Sequence, residues 1–153
     1  MARRKARELA FRTLFQAERS DSDLLDVWEQ VRVDLSENED TEDDAYGDRL
    51  DTESIAFANR LVKAFAEHQS DLDVVLDSAI EGWSFKQMAQ TDLNVLRLAL
   101  TELWFEEVPK EVTIEMAVRT AKKYGGEESG RFVNGVLAKL VREAAGPPGA
   151  PSA

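Results

Sequence analysis

Residues 91–106 read TDLNVLRLALTELWFE, and this stretch decides the fold. Wound at 3.6 residues per turn, it is apolar around most of its circumference. A helix of that kind is stable only where other elements surround it. The pattern therefore predicts a central helix, the hub of a core built from other helices.

Outward from that hub the same period recurs in both directions. Towards the C-terminus Pro109 interrupts. A helix from about Thr113 then presents Ile114, Ala117, Val118 and Ala121 before stopping at Gly125 and Gly126. The last helix, about Glu128 to Glu143, carries the stripe Phe132, Val133, Val136, Leu137, Leu140 and Val141. Gly135 inside it costs roughly 1 kcal/mol against alanine unless another backbone comes close, so a tight helix crossing is predicted there. Towards the N-terminus, Ser70 and Asp73 have capping-box spacing ahead of Leu72, Val75, Leu76, Ala79 and Ile80, and Gly82 ends that helix. Before it, roughly Thr52 to His68 buries Ile55, Ala58, Leu61, Val62 and Phe65, starting at Thr52 or Ser54. A helix from about Asp23 holds Leu24, Leu25, Val27, Trp28 and Val31. The first, about Arg3 to Ser20, aligns Ala6, Leu9, Ala10, Thr13, Leu14 and Ala17 on one face. With no alternating β-branched run and no Asn-Gly hairpin signal, the chain reads as all-α with about seven helices.

The 153 residues suffice for one core, placed at 1–145. Within it, residues 35–51 are polar and acidic and read as a mobile loop. The segment 146–153, GPPGAPSA, reads as a disordered Pro/Gly-rich tail. No apolar run approaches the roughly 18 residues of a membrane span, and the start of the chain lacks the pattern of a secretory signal. Absent cysteine suits a reducing cytoplasm. With a single histidine as well, no metal site and no cofactor are expected.

A net charge of −11 argues at first against nucleic acid as a partner, but the charge is polarised. Between Asp34 and Glu53 stand ten acids against one base, Arg49. The first twelve residues hold Arg3, Arg4, Lys5, Arg7 and Arg12 against Glu8 alone. At 100° per residue Arg4, Arg7, Phe11 and Phe15 share one strip, which suits phosphate and base contacts. The same strip also reads as a solvated helix end beside core aromatics, and composition leaves the question open. A second candidate is GGEESGRFVNG at 125–135, where glycines admit close backbone approach and helix-start amides attract anions. Phe132 falls on the core stripe by spacing, and Asn134 fits either a surface position or a base edge.

Nothing points to catalysis. There is no phosphate loop, no nucleophile with a supporting base, and no cysteine. His68 reads as a solvated helix-end residue. The acid pairs Glu106–Glu107 and Glu127–Glu128 read as exposed helix-end carboxylates, so the chain is not expected to be an enzyme.

Three segments, ARRKARELAFRTLFQAE at 2–18, DLNVLRLALTELWFEEVPKEVTIEMAV at 92–118 and AKKYGGEESGRFVNGVLAKL at 121–140, together resemble the NusB family. The string FVNGVL, Phe132 to Leu137, is the most specific piece. The resemblance implies seven helices in two small packed bundles. It also implies a role in transcription antitermination: binding single-stranded boxA RNA of nascent ribosomal RNA with NusE, a ribosomal small-subunit protein, within the RNA polymerase antitermination complex. It assigns Arg3, Arg4, Lys5, Arg7, Glu128, Phe132 and Asn134 to RNA, and Phe15 and Asp92 to the NusE side. Phe15 stands where the family often has tyrosine, and Met116 where it usually has glutamate. A second reading stays open, a homodimeric helical protein that uses the basic first helix as its interface.

Overall fold

The computed structural model describes residues 2–37, 51–80, 82, 84–143 and 146–147. Six α-helices account for most of them: α1 Ala2–Arg19, α2 Leu24–Glu37, α3 Thr52–Ala79, α4 Gln90–Phe105, α5 Lys110–Gly125 and α6 Glu127–Glu143, with a single 3-10 turn at Phe85–Gln87. The chain divides into two compact units, Met1–Ala66 and Glu67–Ala153. Among the described residues no helix is long and apolar enough to cross a membrane.

The first unit holds α1, α2 and the first half of α3. Ala6, Ala10, Leu14 and Ala17 are buried on α1, as the period predicts, and α1 packs on α2. Trp28 is fully buried on α2, and its indole Nε1–H donates to Asn59 Oδ1 of α3 at 2.7 Å. A buried indole needs such a partner, because an unmet donor keeps its full desolvation cost. On α3, Phe57, Ala58, Leu61, Val62 and Phe65 are buried, whereas Ile55 is only half-buried. The helix starts at Thr52, the first of the two starts the sequence offered, and the cap is the residue before it. Asp51 caps it, its Oδ1 accepting from the Ser54 backbone N–H at 2.8 Å. Helix α2 extends to Glu37, past the expected loop boundary at Leu35. The rest of the predicted acidic loop, 38–50, lies outside the described residues, as does the tail from 148 onward.

The predicted third and fourth helices are one. Helical bonding continues through His68, whose φ of −114° and ψ of 16° mark a kink inside α3. This accounts for six helices where the sequence suggested seven. His68 is not a solvated end residue: it is half-buried and its ring stacks on Phe105, with centroids 4.6 Å apart. The Ser70–Asp73 capping box does not form, since no helix begins there. Asp73 instead accepts a two-pronged pair from Arg97 of α4, Nε to Oδ1 at 3.0 Å and Nη2 to Oδ2 at 2.9 Å.

In the second unit α4 packs on both α5 and α6, and Leu93 through Glu102 are buried without a break. The hub predicted from residues 91–106 is therefore present. Its polar members are matched: Thr113 Oγ1 of α5 donates to Glu102 Oε2 at 2.5 Å, both groups buried. Helix α5 begins at Lys110, ahead of the expected Thr113, because the Pro109 carbonyl accepts the Val112 and Thr113 N–H groups at 3.0 and 3.2 Å. The expected close crossing at Gly135 is absent. A Cβ there would meet nothing within 4 Å, whereas one at the buried Gly130 would lie 2.5 Å from Lys122 Cγ. The approach of α5 to α6 is thus one turn and a residue earlier than the sequence indicates.

Candidate nucleic-acid interface

The first turn of α1 contains no acid and three consecutive cations, Arg3, Arg4 and Lys5, followed one turn later by Arg7. Positive charge at a helix N-terminus opposes the macrodipole, which favours carboxylates there. A sequence that breaks this local rule several times over keeps those cations for another purpose. All four side chains are half-buried, held against the protein with part of each surface still open.

What holds two of them is a ring the sequence pattern had not singled out. Phe57 of α3 is fully buried, and the Arg3 and Arg7 guanidinium carbons stand 4.5 and 5.2 Å from its centroid. Both distances are within cation–π range. Arg3 Nη2 also donates to Glu53 Oε1 at 3.1 Å. Spacing explains the convergence: Arg3 and Arg7 are one turn apart on α1, and Glu53 and Phe57 one turn apart on α3. The only sign in the sequence was Phe57 standing four residues before Leu61, in the same apolar stripe.

The basic–aromatic strip read from α1 alone needs correction. Phe11 is buried in the core, its ring 6.1 Å from that of Phe15. Phe15 is half-buried with Arg19 5.7 Å from its centroid. The aromatic beneath the arginines belongs to α3, not to their own helix.

The second group lies on α6, in the other unit. Gly126, at φ 90° and ψ −176°, separates α5 from α6, a conformation open to glycine and little else. Glu128 is exposed and Phe132 half-buried one turn later, on the same helix face. Asn134 is exposed but stands roughly 200° round the helix from Phe132, so α6 does not bring these two to one face. Of the pair assigned to a protein partner, Phe15 belongs to the first unit and Asp92 to the second. Asp92 sits in the first turn of α4, half-buried, and its Oδ1 is buried with no hydrogen-bond partner among the described residues. Among those residues no group of three acids or histidines is placed to hold a metal ion.

Comparison with known proteins bears on these features. The NusB family model matches residues 4–142. The transcription antitermination protein NusB of Deinococcus deserti is 49% identical over 140 residues, covering 92% of this chain and 80% of that protein. Its counterpart in Thermus thermophilus is 46% identical over 143 residues, 94% of this chain and 92% of that one. Among solved structures, T. maritima NusB superimposes with a TM-score of 0.76 at 36% identity, over 92% of this chain and 91% of that one. A structure of antitermination factors NusB and NusE in complex with dsRNA gives a TM-score of 0.72 at 25% identity, over 92% and 96%.

Proposed function

The chain belongs to the NusB family, and from that premise we propose that it is a transcription antitermination factor. It binds the boxA element of nascent ribosomal RNA together with NusE, as part of the RNA polymerase antitermination complex. It acts in the cytoplasm by binding, without turnover.

The observation that carries this reading is the start of α1, where Arg3 and Arg7 are seated on Phe57 with Arg4 and Lys5 beside them. Guanidinium groups already ordered on a ring lose less freedom when they meet phosphate oxygens, and their planar forks match the geometry of phosphate. Such contacts supply affinity with little discrimination among bases. Discrimination falls to α6: Phe132 offers a ring for a base to stack on and Glu128, on the same face, a polar group for base edges, while Asn134 offers a separate polar contact from another face of the helix. Towards NusE, the half-buried Asp92 carboxylate suits a basic protein. Phe15 supplies an apolar contact without the hydroxyl of a tyrosine.

The test is titration of labelled boxA RNA, with and without purified NusE, at several salt concentrations. Neutralising about three to five phosphates of a single strand gives a log–log salt slope of roughly 2 to 3.5. Arg4→Ala with Arg7→Ala reduces that slope and the affinity, and NusE raises the affinity. Binding indifferent both to salt and to the double substitution would sink the proposal.

A further inference from the structure

We infer that Arg60, on α3, is a further RNA-contacting residue, completing with Arg3 and Arg7 a three-guanidinium phosphate clamp around the Phe57 ring; the inference rests on the RNA-binding reading above. Arg60 is exposed, and its guanidinium carbon lies 5.6 Å from the Phe57 centroid, beside the 4.5 and 5.2 Å of Arg3 and Arg7. With these radii no two of the three cationic groups are more than about 11 Å apart. That is an upper bound, and any pair closer than the Debye length of about 8 Å at physiological salt repels with only partial screening.

A buried ring offsets part of that repulsion through its negative faces. Anions offset the rest, and one is already present. Glu53, a turn before Phe57 on α3, accepts from Arg3 at 3.1 Å. The pair is an exposed one, with side-chain exposures of 37% for Arg3 and 58% for Glu53, of the kind that contributes little to stability. A carboxylate oxygen thus occupies a place where a phosphate oxygen would be equally well received. Three guanidinium groups from two helices, gathered on one ring beside an exchangeable carboxylate, form a surface matched to the repeating charge of a nucleic-acid strand. The strand's path then continues from α1 onto α3 instead of ending at the basic helix.

The experiment uses the full chain with purified NusE and labelled boxA RNA. Arg60→Gln leaves a shorter but still polar side chain and removes the charge, and because the position is exposed the fold persists, which thermal melting checks. Loss of one phosphate contact lowers the log–log salt slope by about 0.7 and the affinity by about four-fold at ~0.15 M salt. The loss is the same for boxA and for a scrambled RNA, and Arg60→Lys restores the slope. Glu53→Gln raises the affinity, since it removes a carboxylate that competes with phosphate. A wild-type slope in Arg60→Gln, with wild-type protein still sensitive to salt and to the Arg4 and Arg7 substitutions, overturns this inference alone. Wild-type protein that fails to bind boxA overturns the functional reading, and the inference falls with it.

Discussion

Asp51 shows how much one side chain settles at the start of α3. The Ser54 backbone N–H donates to its carboxylate and holds the Asp51 carboxyl below the ordinary aspartate range. The folded state therefore prefers the ionised form. The stabilisation is complete above the unfolded value near 3.9 and is lost as pH falls through the depressed folded value. Melting temperature measured from about pH 2 to pH 7 should show Asp51→Ala below wild type at neutral pH, with the gap closing in acid. A gap constant with pH would mean that the cap is not the carboxylate. Two glycines on either side of Phe132 make an opposed pair. Gly126 needs its positive φ, so Gly126→Ala should lose about 1–3 kcal/mol. Gly135 is helical, exposed and surrounded by open space, so Gly135→Ala should gain about 0.5–1 kcal/mol. Urea denaturation of both variants checks the signs.

Between elements, the pair Arg97–Asp73 fastens α4 to the second half of α3 with two charge-assisted bonds, and Arg97 also lies 5.6 Å from the Phe85 ring centroid. Asp73→Asn removes the charge and one good acceptor, and should cost about 1.5–3 kcal/mol; a loss below a few tenths in chemical denaturation would show that solvent replaces the pair without penalty. This contact also marks the limit of what the sequence discloses. Helix α4 was legible because its burial is a property of its own composition. The cations of α1 were legible for the same reason. Asp73 was misassigned to a cap because its partner is 24 residues away, and local spacing offered only Ser70. Phe57, Glu53 and Arg60 were missed as parts of the site because their role arises when α3 meets α1, a pairing that no single helix encodes. His68 was placed at a helix end because the polar run Glu67 to Asp71 reads as a turn with Ser70 opening a new helix; the backbone bends at that point yet keeps its helical bonding.

For the whole molecule the governing quantity is charge and how far it is felt. The net charge is −11, and the stretch 37–48 holds seven acids with no base. On the proposed reading the guanidinium cluster meets phosphates in contact, where screening is weak. If the acidic charge acts at a distance, salt screening decides its effect. At ~0.15 M salt the Debye length is about 8 Å, and at ~0.01 M it is about 30 Å, comparable to a small domain. Deleting residues 37–48 should therefore leave boxA affinity within about two-fold at physiological salt. At low salt it should strengthen binding to boxA and to unrelated RNA alike, because removing like charge raises the attraction for any polyanion. An effect that persisted undiminished at ~0.15 M would place the segment in contact with RNA or with the arginines. No effect at either salt would mean that its charge is neutralised within the protein. Of these outcomes, the first makes the acidic stretch a uniform repulsion that lowers affinity for every strand at low salt and leaves the preference among strands to the contacts themselves.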